Sequence, residues 1–315
     1  MVEISASEQE IIVQAPAKVN LCIRVLDRLP NGYHELWSLM HSVDVFDQLC
    51  IRLNPNHDGI QLTCDNVALP VDQRNLVYRA AESVMRHSEE SVGVDIALRK
   101  IIPLAAGLGG GSSDAAAAIY GLNHLLKLEW GLSEMNEVGA ELGSDIPFFF
   151  QSPCAMVRGW GHEVTPCKIT GQRWVVLVNP GFPIQTKWAY EQLAGSRSDV
   201  PLLGPWPKAV ESELQISWEE VIHAMENDFE TPLFPVYPIL EFMKEKLRAL
   251  GAQAALLSGS GATVFGVFAT AEDAQAAAAQ LQRDTQWLVF NAPMGVSGLP
   301  HTPILHEASP EALPI

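Results

Sequence analysis

The chain predicts an α+β protein of one large or two ordinary domains. Apolar, β-branched runs recur towards both ends of its 315 residues, stretches with a 3.6-residue apolar period separate them, and near the middle a strand runs through a glycine-rich turn straight into a helix. At 48% hydrophobic and 18% charged, the composition is that of a globular chain with ample core.

In chain order, residues 11–15 and 19–25 read as strands, the second alternating Asn20, Cys22 and Arg24 against Leu21, Ile23 and Val25. Residues 36–53, rich in Val, Leu, Phe and Ile, predict two or more strands. A helix is expected over 75–87, with Leu76, Ala80 and Val84 on one face, then a strand over 94–102. The next helix starts near Ser113 and runs to about 128 with Ile119, Leu122, Leu125 and Leu126 as its stripe. Ser133 predicts the cap of a further helix ending at Gly143, with Glu134, Glu137 and Glu141 on its polar side.

Strands follow at 155–158 and 173–179, and residues 195–210 read as a Ser/Pro-rich loop. Helices are expected at 217–225 and 236–250, a strand into Ser258, another over 263–268, a helix over 272–283 and a strand over 287–290. The first domain is placed at 1–168 and the second at 169–297, with a Pro-rich, disordered tail at 298–315.

Several function classes recede on composition. The formal net charge of −17 opposes a nucleic-acid or anionic-membrane partner. No apolar run approaches the roughly 20 residues of a membrane span, and the acidic first ten residues resemble neither a secretory signal nor a transit peptide. A cytoplasmic location is the expectation. Five cysteines without a Cys-x-x-Cys read as small apolar side chains, and nine histidines show no zinc-site spacing.

The most informative stretch is Pro103, Leu104, Ala105, Ala106, Gly107, Leu108, Gly109, Gly110, Gly111, Ser112, Ser113 and Asp114, followed by four alanines. Four glycines in five positions let a backbone turn with positive φ and present its N–H groups to an anion. Ser112, Ser113 and Asp114 are N-cap types, and the alanines behind them favour helix, whose first N–H groups also attract anions. A triphosphate fits such a cradle. No Lys follows the glycines as a Walker A loop requires, and Ser112 stands where a dinucleotide fingerprint has its third Gly.

This stretch resembles the phosphate-binding motif of the GHMP kinases, the small-molecule kinases of galactose, homoserine, mevalonate and phosphomevalonate. Two other segments resemble that family's remaining motifs: Ala15-Pro16-Ala17-Lys18-Val19-Asn20-Leu21, and Leu257-Ser258-Gly259-Ser260-Gly261-Ala262-Thr263-Val264-Phe265. Residues 27–35 (Asp-Arg-Leu-Pro-Asn-Gly-Tyr-His-Glu) and 142–148 (Leu-Gly-Ser-Asp-Ile-Pro-Phe) resemble the branch that phosphorylates 4-diphosphocytidyl-2-C-methyl-D-erythritol in the non-mevalonate isoprenoid pathway. The resemblance runs from about residue 14 to about 295 with the motifs in family order. It implies an N-terminal domain like the second domain of ribosomal protein S5 and a ferredoxin-like C-terminal domain. It also implies ATP with Mg2+ and no tightly bound cofactor, and leaves the oligomeric state open.

The residues themselves allow more than one role. Asp145, between Gly143 and Pro147, can be a general base in a well-defined turn or the cap of a short helix; the resemblance makes it the catalytic Asp. Lys18 can be an edge-strand lysine, and the resemblance makes it the catalytic Lys beside Asp145. Asn20 shares its strand face and can orient the same group. Ser113 can cap the helix or help to hold Mg2+. Residues 103–113 are expected to hold ATP. His34 suits the hydrogen-bonding edge of cytosine, and Tyr33 offers it a stacking face. Tyr190 fits either a second base-stacking aromatic or a helix core position. Ser258, Gly259, Ser260 and Gly261 form a second nest for a diphosphate, or a strand-to-strand turn. The competing activities are another GHMP kinase acting on homoserine, mevalonate or a sugar, and a non-catalytic sensor of nucleotide and ligand.

Overall fold

The computed structural model describes residues 10–29, 34–88, 92–151, 153–197, 199 and 202–295. Tyr33 and the expected tail at 298–315 lie outside them. The N-terminal half is built on two long antiparallel strands, β1 (Glu10–Arg28) and β2 (His34–Asn54). Each is one strand where the sequence suggested two or more. No turn interrupts β1, because irregularities at Pro16/Ala17, Asn20/Cys22 and Val25/Arg28 absorb the breaks in pattern. A bulge accepts a proline, which has no N–H to give the ladder, and shifts the face to which the following side chains point.

That shift places chemistry. Before Pro16 the odd residues Ile11, Val13 and Ala15 pack into the helix-covered core. After it the odd residues Ala17, Val19 and Leu21 join the core that the two halves share, so the even residues Lys18 and Asn20 point the other way. The second irregularity also sends Cys22 into the shared core, against the alternation expected for it.

The sheet is completed by β3 (Ile60–Cys64), β4 (Gly93–Arg99), β5 (Cys154–Arg158) and β6 (Glu163–Pro166), in the order β3-β4-β2-β5-β6 with β1 against β2. Helices α1 (Leu76–Ser88), α2 (Gly110–Leu125), α3 (Leu132–Leu142) and α4 (Ile146–Phe150) pack against its inner face. Two expected caps move. Gly109, at φ 69°, precedes α2, so Ser112, Ser113 and Asp114 lie inside the helix. Gly131, not Ser133, precedes α3, and its N–H donates to Glu134 Oε2 at 3.1 Å.

The second half holds β7 (Lys168–Thr170), paired with β9 (Gln215–Ser217), and a four-stranded antiparallel sheet. That sheet comprises β8 (Trp174–Asn179), β10 (Ala254–Leu257), β11 (Val264–Phe268) and β12 (Leu288–Pro293), in the order β10-β11-β8-β12. Its helices are α5 (Thr186–Ser196), α6 (Pro205–Glu213), α7 (Trp218–Ala224), α8 (Glu230–Leu233), α9 (Pro238–Ala249) and α10 (Ala271–Asp284). Helix α6 occupies part of the stretch expected to be loop. Pro205 sits in its first turn, where a missing N–H costs nothing. Among the described residues no helix is long and apolar enough to cross a membrane.

The halves meet through a shared core that joins Val19, Leu21, Trp37 and Leu39 to Val175, Leu177, Phe265 and Val267. Arg24 ties the same seam with Glu226 at 2.7 Å and Asp228 at 3.1 Å.

Helix α2 packs closely on the sheet. Ala115, Ala116, Ala117 and Ala118 have no exposed surface, and a Cβ on Gly121 would lie 2.6 Å from Ile51 Cδ1. The alanines therefore set how near the helix lies to the sheet as well as favouring helix. Ala117→Leu, nearly neutral for helix propensity, is expected to cost about 1–3 kcal/mol through overpacking. Urea unfolding measures it; unchanged stability would make propensity the alanines' main role.

Candidate active site

Three segments distant in sequence form one cleft: β1 around Lys18, the loop 103–109 before α2, and the turn 258–263 between β10 and β11. The Lys18 N–H donates to Leu108 O at 2.9 Å, and the Thr263 N–H donates to Ala106 O at 3.1 Å. Ser258 Oγ donates to Gly107 O at 2.8 Å. The loop is thus held from both sides by bonds to its own carbonyls.

Its glycines are required by shape. Gly107 has φ +77°, and a Cβ there would lie 2.0 Å from Ser258 O. A Cβ on Gly109, at φ +69°, would lie 2.8 Å from Lys18 Cγ and 3.0 Å from Phe149 Cζ. The loop delivers the chain to α2, whose first N–H groups, at Gly110, Gly111 and Ser112, have no acceptor within the helix. Ser113 N–H already donates to Gly109 O at 2.9 Å, while its buried hydroxyl has no hydrogen-bond partner.

Lys18 is 4% exposed. Its ammonium donates to Asn20 Oδ1 at 2.7 Å and lies 3.6 Å from Asp145 Oδ2. Asn20 Nδ2 donates to Ser38 Oγ at 2.8 Å, and Ser38 Oγ donates to Cys22 O at 2.7 Å. This relay leaves the Asn20 amide one sensible orientation, with its oxygen towards the lysine. Burial pulls the Lys18 pKa below the ordinary lysine value, and the Asp145 carboxylate opposes that pull. Asp145 occupies the cap position of α4, yet its carboxylate makes no capping bond and faces Lys18 instead.

Across the cleft, the His34 and Tyr190 rings stack with centroids 4.9 Å apart and planes at 19°. Phe229 meets Tyr190 edge-on at 4.9 Å. Burial pushes the Tyr190 phenol up, and the Asp145 charge adds to the push. In the 258–261 turn, Ser260 Oγ lies 3.2 Å from Thr186 Oγ1, and Gly259 is the close neighbour of Asn20: a Cβ there would lie 3.2 Å from Asn20 Oδ1.

Sequence reasoning missed two supports. Asn227 Nδ2 donates to Leu257 O at 2.7 Å and Gly259 O at 2.8 Å, while its Oδ1 accepts from Phe229 N–H, so one side chain holds both the turn and the aromatic wall. Beneath the loop, Lys100 Nζ bonds Asp47, and Asp114 Oδ2 at 2.7 Å. Asp47 Oδ1 in turn accepts from the N–H groups of Ile101 at 2.5 Å and Ile102 at 2.9 Å. Burial raises the Asp114 carboxyl pKa, with Asp47 adding to it and Lys100 opposing it. Asp114, a candidate cap by sequence, therefore belongs to an ionic cluster. Lys100 lies 53 positions from Asp47 and 14 from Asp114, and no local pattern marks either pairing.

The GHMP kinases N terminal domain matches residues 75–152, and the GHMP kinases C terminal domain matches residues 209–285. The 4-diphosphocytidyl-2-C-methyl-D-erythritol kinase of Geobacter metallireducens is 38% identical over 281 residues, which cover 89% of this chain and 97% of that one. The enzyme of the same name from Syntrophus aciditrophicus is 39% identical over 280 residues, 88% of this chain and 97% of that one. The chain belongs to the 4-diphosphocytidyl-2-C-methyl-D-erythritol kinase family, within the GHMP kinases. A crystal structure of 4-(cytidine 5'-diphospho)-2C-methyl-D-erythritol kinase shares 32% identity at a TM-score of 0.74, covering 90% of this chain and all of that one. A homoserine kinase from Cytophaga hutchinsonii, at 19% identity and a TM-score of 0.70 over 95% of this chain and 98% of that one, shares the fold. The two-domain GHMP architecture expected from the motifs is therefore present.

Lys100→Met removes the one cation from between two buried carboxylates. It is expected to cost about 3–5 kcal/mol, the usual penalty for orphaning a buried charge, read from denaturant unfolding. A loss below about 1 kcal/mol, the range of exposed pairs, would show that the cluster does not hold the loop.

Proposed function

We propose that the protein transfers the γ-phosphoryl group of ATP to the 2-hydroxyl of 4-diphosphocytidyl-2-C-methyl-D-erythritol, giving the 2-phosphate and ADP in the non-mevalonate isoprenoid pathway. The observation that carries the reading is the Lys18–Asp145 pair in the cleft where the glycine loop meets the 258–263 turn. Relatives bearing that name, at 38–39% identity over most of both chains, support the substrate assignment.

In this reading the amides of 107–112 and the start of α2 hold the triphosphate, with Ser112 on the rim. Asp145 accepts the proton of the attacking hydroxyl as the bond to phosphorus forms. Lys18 offsets the negative charge that gathers between hydroxyl and phosphate. Asn20 and Ser38 hold the ammonium in place, so it need not reorganise during transfer. The 258–261 turn, with Ser260 at its edge, closes over the substrate's diphosphate.

Ser113 fits a role towards Mg2+, because its hydroxyl is buried, unpartnered and one turn into the phosphate-facing helix. Among the described residues no group of three or more His, Cys, Asp or Glu is arranged to hold a metal. The ion's other ligands would then be phosphate oxygens and water, which is usual for Mg2+. When bound, the ion neutralises phosphate charge.

For the base, the His34–Tyr190 stack is the informative contact. A ring already lies on Tyr190 at stacking distance. An incoming cytosine takes that place, and His34 moves to the base's edge, where it can donate and accept.

ADP release from Mg·ATP, measured with the cytidylyl substrate beside homoserine, mevalonate and galactose, tests the assignment. Turnover confined to the cytidylyl compound is expected, and turnover only on another alcohol would replace the substrate. Asp145→Asn is expected to lower kcat by roughly 10²–10⁴-fold with nucleotide affinity little changed; a near-normal kcat would remove Asp145 as the base. His34→Ala is expected to raise KM for the cytidylyl substrate more than for ATP in steady-state kinetics. Equal rises would put His34 outside the base pocket.

A further inference from the structure

Two of the five cysteines stand opposite each other on neighbouring strands, away from the cleft. The β5–β6 ladder pairs Met156 with Thr165 and Ala155 with Pro166, so Cys154 and Cys167 form its next pair. The Cys167 N–H donates to Cys154 O at 3.1 Å, which continues the ladder. Their sulfurs lie 3.2 Å apart, and neither is in a disulfide. Directly opposed residues of an antiparallel pair have Cα atoms about 4.5–5.5 Å apart, within the range a disulfide spans. Bond formation thus asks for side-chain rotation and little backbone movement.

The pair is buried but reachable. Both cysteines line a cavity of about 360 Å³ together with His41, Trp218 and Met294. Cys154 is 2% exposed and Cys167 8%, so Cys167 presents more of its surface to that cavity.

We propose that Cys154 and Cys167 form an oxidisable dithiol, a modification site whose co-substrate is a small hydroperoxide and whose product is an intramolecular disulfide. Cys167 is the more exposed of the two thiols and so the one that a peroxide meets first. Cys167 is therefore the attacking thiolate and Cys154 the resolving thiol. The Cys167 sulfur attacks one peroxide oxygen, the O–O bond breaks, and Cys167 sulfenic acid and one water form. The Cys154 sulfur then attacks the sulfenic sulfur. The S–S bond forms, the S–O bond breaks, and the hydroxyl leaves as a second water with the Cys154 proton. Two thiols are oxidised by two electrons and one peroxide is reduced. A dithiol reductant reverses the change.

The test treats the full chain with hydrogen peroxide, unfolds it in guanidinium with N-ethylmaleimide and no reductant, and maps the digest by mass spectrometry. The expected result is a linked Cys154–Cys167 peptide, two hydrogens lighter, in monomeric protein, with Cys22 and Cys50 still alkylated and the link reversed by dithiothreitol. Full alkylation of both residues after peroxide would overturn the proposal, as would Cys167 sulfinic acid beside intact Cys154, or disulfides joining two chains. In Cys154→Ser, dimedone present while the peroxide-treated protein is unfolded is expected to trap a sulfenic acid at Cys167. No adduct there, with Cys167 still alkylated, would contradict Cys167 as the attacking sulfur.

Discussion

Burial of the Lys18 ammonium is the constraint on which the rest of the site depends. A cation at 4% exposure is tolerable only with partners arranged for it, and the partners define the chemistry. Asn20 supplies a neutral acceptor at 2.7 Å and Asp145 a carboxylate at 3.6 Å. The longer contact leaves the carboxylate room to accept a proton from something else. The bulge at Pro16/Ala17 aims Lys18 at that carboxylate; without it the alternation of β1 would place the lysine on the other face.

The glycine-rich loop before α2 is held in the same spirit, by what lies behind it. Asp47 accepts from the N–H groups of Ile101 and Ile102 just before the loop, Asp114 lies just after it, and Lys100 joins the two. Both ends of the loop are thereby tied to β2. In front, Ser258 and Thr263 bond its carbonyls, which leaves its N–H groups for a ligand. In a chain of net charge −17, an anion at this loop would be held by local amides rather than by the overall field.

Much of this was legible in the sequence where the signal is local. The glycine run 107–111, the lysine set between apolar strand residues and the Gly-Ser-Asp-Ile-Pro segment each carry their meaning within about ten residues, and the helical stripe of α2 is readable from Leu122 and Leu125. What was not legible is non-local or depends on register. A bulge needs no turn residues, so β1 looked like two strands split at Pro16. Ser112, Ser113 and Asp114 have cap chemistry, but Gly109 in the left-handed region begins the helix first and Lys100 claims Asp114. Asn227 and Ser38 support the site through contacts with segments 30 and 18 positions away, and neither has a local pattern to mark it.

In the proposed reaction the loop, Lys18 and Asp145 converge on one reacting hydroxyl. A crystal structure with a non-hydrolysable ATP analogue and 4-diphosphocytidyl-2-C-methyl-D-erythritol tests it most directly. The expected result is the triphosphate on the amides of 107–112, the cytosine against Tyr190, and the 2-hydroxyl within about 3 Å of an Asp145 oxygen, the reach a general base needs. A 2-hydroxyl out of reach of Asp145, or a triphosphate away from the start of α2, would contradict it.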